Sequence, residues 1–133
     1  MRNHIFIVFI ALVPHVARAE WTLVTDELAY REYADFEAVE RFPKVARIWT
    51  LIDYKSPLKG DKANYMSTKQ LFEFDCVERK MRTLVFRNYS LAKGGGSVVL
   101  SVDKPDPWEY IEPDGGLMKF REAACTTSGD KRK

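Results

Sequence analysis

The sequence predicts an α+β fold, a mainly antiparallel sheet of six or seven strands followed by one C-terminal helix pinned by a disulfide. Apolar and polar residues alternate along most of the chain, with turn clusters between the runs, as in half-buried strands. One late segment instead repeats apolar residues at helical spacing. Because the strand patterns come first and the helical pattern last, we expect one α+β domain rather than alternating βαβ units.

Residues 1–19 are predicted to be a secretory signal peptide. Arg2 supplies a positive charge, residues 5–13 are an unbroken apolar run, and residues 17–19 have the small-x-small pattern of a signal-peptidase site. A run of nine residues is too short to span a bilayer as a helix, which takes about 20. The pattern therefore indicates export rather than membrane insertion.

Removal of this segment changes the composition on which the function class depends. The chain has 21 Lys and Arg against 19 Asp and Glu, so loss of Arg2 and Arg18 leaves equal numbers of each sign. A net charge of zero does not favour nucleic acid or anionic lipid as a partner. Both histidines, His4 and His15, also leave, which excludes Ser-His and Cys-His catalysis and histidine–metal sites in the mature protein.

The mature protein is predicted to be a single domain at residues 20–125, followed by a disordered polar tail at residues 126–133. No repeat or linker divides the chain, and no second apolar run has the length of a membrane span. We expect an exported protein without a transmembrane segment in its mature form, located in the periplasm or at the cell surface.

Strand patterns fill most of the domain. They occur at residues 21–24, 28–34, 45–54, 68–76, 79–89 and 97–102, with a short extended piece at 108–111. The pattern at 45–54 has apolar residues on both faces, Ile48 and Ile52 on one and Trp49 and Leu51 on the other. This arrangement is typical of a central strand that is covered on both sides.

The helical pattern lies near the end of the domain. Leu117, Phe120 and Ala124 recur at helical spacing, and Asp114, after a proline, is a candidate N-cap. These features predict a helix that begins at about Gly115.

Cys76 and Cys125 are the two cysteines of the chain. An even number of cysteines in an exported protein indicates a disulfide. The alternative, a catalytic or metal-binding thiol pair, lacks a C-x-x-C motif and other soft ligands. Cys76 ends an alternation that points Phe72 and Phe74 to the core, so a bridge would pin the helix to the sheet. Loop-closure entropy assigns such a bridge about 4 kcal/mol.

Glu73 and Asp75 are the strongest candidates for catalytic residues. They share one strand face about 7 Å apart, which suits a pair of carboxylates acting as acid and base. Because the alternate residues point to the core, the competing interpretation is that this face meets water and pairs with neighbouring Lys or Arg. We favour the second interpretation and predict no catalytic residue and no enzymatic activity.

Two other motifs superficially suggest ligand sites. The glycine turn at residues 92–97 resembles a phosphate loop, but such loops join a strand to a helix, and this one joins two strands. Asp103 and Asp106 lie close together, yet the spacing supplies too few oxygen ligands for calcium. No metal site and no cofactor are predicted.

Residues 55–66 are predicted to form an exposed, mobile loop, because Pro57 and Gly60 interrupt the strand pattern. The candidate partner-binding residues in this loop are Lys55, Leu58, Lys59, Lys62 and Tyr65. They combine positive charge with apolar anchors, which is typical of a contact with a protein partner. A solvated lysine loop without a partner remains the alternative.

An ordered set of residues resembles the surface-adhesin protein E family of Gram-negative bacteria. The matching residues are Val45, Arg47, Trp49, Asp53 and Tyr54, then Phe72, Phe74, Asp75, Cys76 and Arg79, then Trp108, Pro113 and Cys125. The resemblance implies a small exported domain with an antiparallel sheet, a C-terminal helix and a disulfide between Cys76 and Cys125. It also implies adhesion to host matrix and serum proteins such as vitronectin, laminin and plasminogen.

Two function classes follow. The first is an adhesin at the bacterial surface that binds host matrix or serum proteins. The second is a periplasmic accessory or structural protein that binds another envelope component. In both, the partner is a protein rather than nucleic acid, and a homodimer is a further option.

Overall fold

The computed structural model describes residues 11–12 and 18–126. The predicted signal peptide at 1–19 and the predicted tail at 126–133 fall mainly outside the described residues, and both stay predictions. Thr126 is described and follows the helix, where its hydroxyl donates to the Glu122 carbonyl at 2.6 Å. Within the described part of the chain, no helix has the length and apolar character needed to cross a membrane.

Eight strands and one α-helix make up the described domain. They are β1 (Thr22–Asp26), β2 (Tyr30–Ala34), β3 (Glu40–Arg41), β4 (Val45–Leu58), β5 (Tyr65–Asp75), β6 (Lys80–Tyr89), β7 (Val98–Val102), β8 (Glu109–Tyr110) and α1 (Gly116–Cys125). The predicted N-cap at Asp114 is wrong, because Gly115 occupies that position and no side chain caps the helix.

The strands form one antiparallel sheet in the order β1-β2-β4-β5-β6-β7. The two-residue strands β3 and β8 pair with β4 and β6 respectively, and β3 continues the line of β2 along β4. Turns or short loops join most neighbours, as antiparallel pairing allows, whereas a 3-10 turn at Phe36–Ala38 and β3 lie between β2 and β4. The predicted α+β class with six or seven main strands and a C-terminal helix is therefore confirmed.

The apolar core lies between α1 and one face of the sheet. Phe120 and Ala124 of the helix are buried, and the Phe120 ring packs edge-on against Phe72, with centroids 6.4 Å apart. The other buried members of this core are Ala34, Ala46, Ile48, Phe74, Met81 and Ile111. The helical spacing in the sequence thus correctly placed Phe120 and Ala124 against the sheet, whereas Leu117, in the first turn, is 36% exposed.

A disulfide joins the helix to the end of β5, as predicted. Cys76 directly follows β5 and Cys125 ends α1, and their Cα atoms are 5.6 Å apart. The bridge closes a sequence separation of 49 residues, so it removes much conformational freedom from the unfolded chain.

Two arginines add polar contacts at the same junction. Arg41 of β3 donates from Nε to the Ala124 carbonyl at 3.0 Å. Arg121 of the helix donates from Nε to the Asp75 carbonyl at 3.0 Å. These bonds pair carbonyl groups near a helix end and a strand end with charged donors.

The prediction that Glu73 faces water is wrong. Glu73 is only 2% exposed, and its two carboxylate oxygens accept hydrogen bonds from Arg47 Nε at 2.7 Å and Arg82 Nε at 2.8 Å. The guanidinium groups in turn lie over aromatic rings, Arg47 over Phe42 at 4.8 Å and Arg82 over Trp108 at 4.4 Å. Cations and rings on the sheet face opposite α1 therefore cover this carboxylate.

Asp75 has a separate, structural role. Its Oδ1 accepts hydrogen bonds from the backbone N–H groups of Val77 and Glu78, both at 2.8 Å, in the turn between β5 and β6. The bond from Glu78, reinforced by that from Val77, outweighs the effect of burial and lowers the pKa of Asp75. With Glu73 ion-paired and Asp75 in a turn, the two carboxylates do not form an acid–base pair.

Replacing Cys76 by Ser is expected to lower the free energy of unfolding by about 2–5 kcal/mol, the usual cost of losing a native bridge from a small secreted domain. Urea unfolding followed by tryptophan fluorescence, with and without dithiothreitol, measures the change. The double variant with Ser at both Cys76 and Cys125 is the control, since reductant should not affect it. Equal unfolding midpoints for the wild type with and without reductant would contradict the prediction.

Replacing Glu73 by Gln is expected to destabilise the fold by about 2 kcal/mol, because two guanidinium groups lose their shared counter-charge. The loss stays below that of a fully buried pair, since both arginines are partly solvated. Glu78→Gln is the matched control, because that side chain is exposed beside Lys80 and should change stability by less than about 0.5 kcal/mol.

The same substitution predicts a pH dependence. Burial opposes ionisation of Glu73, but the hydrogen bonds from Arg47 and Arg82 outweigh it, so its pKa is lowered from 4.5. A lowered folded-state pKa stabilises the protein above the unfolded-state value, and the contribution is lost as the pH falls through the folded-state pKa. The stability difference between wild type and Glu73→Gln should therefore be complete at neutral pH and shrink below pH 4.5. A difference that does not change with pH would argue against the ion pair.

Candidate functional site

The predicted loop at residues 55–66 is shorter than expected. β4 continues through Pro57 to Leu58, and β5 begins at Tyr65, so residues 59–64 connect the two strands. The pairing shifts register between Asp53 and Leu58, which accommodates the proline at an irregular position of the ladder. The interruption that the sequence showed is therefore a bulged hairpin end rather than a long loop.

The five candidate binding residues do not lie together. Lys55 points away from the hairpin end, and its Nζ contacts Asp26 Oδ1 at 2.8 Å. This hydrogen bond is the main cause that lowers the pKa of Asp26, and a contact with Arg31 adds to the effect. Lys59 and Lys62 lie in the exposed connection, and Leu58 is exposed at the end of β4. Lys55 therefore connects β4 to the first hairpin, whereas the other four residues occupy the end of the second.

A cleft of about 280 Å³ opens beside this hairpin end. We call it the hairpin cleft, and its walls are residues 60–63, Tyr65, Asn88 and residues 99–101. Lys62 and Tyr65 are the two candidate residues that line it. Its volume suits one side chain of a partner rather than a large ligand.

A buried polar chain positions Asn88 in the wall of the cleft. Tyr54 Oη lies 3.0 Å from Thr68 Oγ1, and the Thr68 hydroxyl donates to Asn88 Oδ1 at 2.7 Å. Because the single hydroxyl hydrogen of Thr68 goes to Asn88, the phenol of Tyr54 is the donor to Thr68. Burial, partly offset by the contact with Thr68, raises the pKa of Tyr54. Because the oxygen of Asn88 is engaged, its amide nitrogen is the group that this 6% exposed residue offers to the cleft.

β7 forms the other wall of the cleft and one edge of the sheet. It pairs with β6 on one side, and in the part of the chain that the structure describes no strand pairs with its other side. Val98, Leu100 and Val102 are 52%, 48% and 41% exposed. An exposed edge strand with apolar side chains is a ready template for pairing with another chain.

The sequence indicated β7 as a strand but did not show that it forms an edge or meets the hairpin end. One sequence feature could have indicated that β7 is an edge strand. Asp103, Pro105 and Pro107 follow it and prevent another strand from pairing with it directly afterwards. Asn88 carried no signal, because an asparagine within a strand pattern has no distinguishing spacing. Both features emerge only when β6 and β7 pair.

The remaining motifs have structural settings in the described residues. The glycine turn joins β6 to β7, with positive φ at Lys93, Gly94 and Gly96, as a tight connection requires. Within residues 18–126, no group of three or more Asp, Glu, Cys or His side chains is arranged to hold a metal ion. The site therefore offers a strand edge with exposed apolar side chains, one amide and lysine charge, which together suit binding.

Comparisons with known proteins agree with this architecture. The chain resembles the structure of Haemophilus influenzae protein E with a TM-score of 0.58 and 17% identity, over 82% of this chain and 86% of that chain. A second crystal form of the same protein gives a TM-score of 0.57 and 16% identity, over 82% and 89%. Protein E from non-typeable Haemophilus influenzae gives 0.58 and 15%, over 82% and 77%. At such identities the likeness shows the fold.

Sequence comparison supplies the family. No curated protein sequence matches the chain significantly. The family model for surface-adhesin protein E matches residues 21–126, which span the whole sheet and the helix. Because the match covers most of the chain, this protein belongs to the surface-adhesin protein E family.

Proposed function

We propose that the protein is an exported adhesin that binds a host matrix or serum protein at the bacterial surface, through β7 and the hairpin cleft. The family, together with the predicted signal peptide, supports export and adhesion. The observation that carries the choice of surface is the apolar outer edge of β7, with which none of the described strands pairs and which runs beside the cleft lined by Asn88.

Strand addition is the binding mode that this surface favours. An extended segment of the partner forms main-chain hydrogen bonds with the free edge of β7, and these bonds supply affinity with little sequence preference. One side chain of the segment enters the hairpin cleft, where the Asn88 amide donates to a carbonyl or carboxylate oxygen. Lys59 and Lys62 at the rim favour an acidic segment and increase the association rate more than the affinity.

The same edge supports pairing between two copies of this chain. Two β7 strands related by a two-fold axis run antiparallel, and each copy offers the same exposed apolar side chains to the other. A homodimer of this kind would occupy the proposed contact, so self-association and partner binding would compete. Sedimentation of the purified protein over a range of concentrations, with and without the partner, distinguishes the two.

Replacing Leu100 by Lys is expected to reduce binding to immobilised vitronectin and plasminogen at least tenfold. A charged side chain on an edge strand opposes pairing with a second strand, and Leu100 also lines the cleft. Leu23→Lys is the matched control, because Leu23 is 50% exposed on the opposite edge strand β1. Surface plasmon resonance gives the affinities, and circular dichroism confirms that both variants are folded.

A second comparison isolates the contribution of charge. The double variant Lys59→Ala and Lys62→Ala should retain the wild-type melting temperature, because exposed loop charges contribute little to stability. Its association rate with an acidic partner should fall, while Lys55→Ala, away from the cleft, should leave it unchanged. Normal binding by both Leu100→Lys and the double lysine variant would exclude this surface as the contact.

Location decides between the two function classes. In intact cells, added protease is expected to degrade a surface adhesin, and osmotic shock should not release it. An immunoblot against the protein, with a known periplasmic protein as the protection control, makes this measurement. Full protection together with release by osmotic shock would instead support the alternative, a periplasmic protein that binds another envelope component.

A further inference from the structure

A second cleft lies on the sheet face opposite α1, away from the proposed protein contact. We call it the aromatic cleft. It has a volume of about 190 Å³, and three aromatic rings, two cationic side chains and one carboxylate line it. These are Trp21, Trp49, Tyr89, Lys69, Arg87 and Asp35. None of these six side chains lines the hairpin cleft or belongs to the apolar core.

Lys69 is held in a defined position over the floor of this cleft. Its Nζ lies 5.8 Å from the centroid of Trp21 and 5.2 Å from that of Tyr89. Gly94 has a φ of +71°, and a Cβ there would collide with the Lys69 side chain, so the glycine turn leaves the space that the lysine occupies. Within the described chain, no carboxylate lies within ion-pair distance of its ammonium group. The charge is thus placed by aromatic contacts and is open to an anion.

Arg87 supplies a second cation at the same cleft. Its guanidinium lies 6.0 Å from the centroid of Trp49, and it donates to Ser101 Oγ and to Asp103 Oδ1, each at 3.2 Å. Asp103 is largely exposed, so solvent weakens this pair. A guanidinium has five N–H donors, and three of them remain for a ligand.

Asp35 gives the cleft a hydrogen-bond acceptor. It is 4% exposed, and its Oδ1 accepts from the backbone N–H of Ala38 at 3.2 Å. A buried carboxylate in the wall repels a uniformly anionic chain but accepts readily from hydroxyl groups. The side chains of this cleft therefore favour a ligand that carries both hydroxyl groups and an isolated negative charge.

We propose that the aromatic cleft binds an acidic oligosaccharide. The apolar C–H face of a sugar ring packs on Trp49, Lys69 and Arg87 bind its sulfate or carboxylate group, and a ring hydroxyl donates to Asp35. Single-stranded nucleic acid also combines aromatic stacking with cations, but its repeated phosphates gain nothing from Asp35. Ala19 also lines the cleft, so cleavage at the predicted signal-peptidase site would widen it.

Calorimetric titration of the full chain, purified after export, tests this site with four probes. They are a sulfated hexasaccharide, an unsulfated uronate hexasaccharide, a neutral hexasaccharide and a thymidine oligonucleotide. We expect at least one acidic sugar to bind, with the stronger of the two identifying sulfate or carboxylate as the group recognised. The neutral sugar should bind at least tenfold more weakly than that acidic sugar.

Variants localise the binding. Lys69→Gln should lower the affinity for the acidic sugar at least tenfold. Lys119→Gln makes the same charge change on α1, at the opposite face, and should leave that affinity unchanged. Lys69→Arg retains the charge and should keep a larger share of the affinity, which separates loss of charge from loss of folding. Leu100→Lys should bind the sugar normally, because the hairpin cleft is a separate site. Absence of acidic-sugar binding, equal loss in the Lys69 and Lys119 variants, or tighter binding of the oligonucleotide would overturn the proposal.

Discussion

The fold depends on keeping α1 against one face of the sheet. A helix of ten residues is too short to be stable alone in water, so its contacts with the strands must supply the stability. Phe120 and Ala124 provide the apolar contact, and the disulfide from Cys125 to Cys76 prevents the helix from separating while the chain is oxidised. Because Cys76 directly follows β5, this link acts at a central strand and helps to determine which side chains the helix covers.

The two faces of the sheet are covered by different kinds of side chain. Under α1 the covering groups are apolar, whereas the opposite face is covered by guanidinium, ammonium and aromatic side chains that pack on each other. β6 shows the consequence within three residues. Asn88 points into the hairpin cleft, while Arg87 and Tyr89 point into the aromatic cleft. Successive residues of a strand face opposite sides, so the two proposed contacts, one with a protein and one with a sugar, would not overlap, and engaging both would increase avidity.

Part of the proposed contact surface was predictable from the sequence. Lys62 and Tyr65 were identified by their place after a break in the strand pattern, and both line the hairpin cleft. Lys55 belonged to the same segment, but its contact with Asp26 in β1 directs it elsewhere. Asn88 escaped detection because its role depends on a hydrogen bond from another strand. Residue type and spacing identify a surface loop, but they do not identify the side chains that complete a cleft beside it.

The sequence by itself determined the α+β class, the C-terminal helix and the bridge between Cys76 and Cys125. The class and the helix follow from periodicity, which depends on neighbours along the chain. The bridge follows from composition, because an exported chain with two cysteines can form one disulfide. Only the tertiary structure decided that Glu73 is buried rather than solvated. Its partners Arg47 and Arg82 come from the strands on either side, and strand pairing across the sheet brings the three together. A carboxylate in an alternating strand has the same local pattern whether water or two guanidinium groups face it, so the difference appears only once the register of the sheet is set.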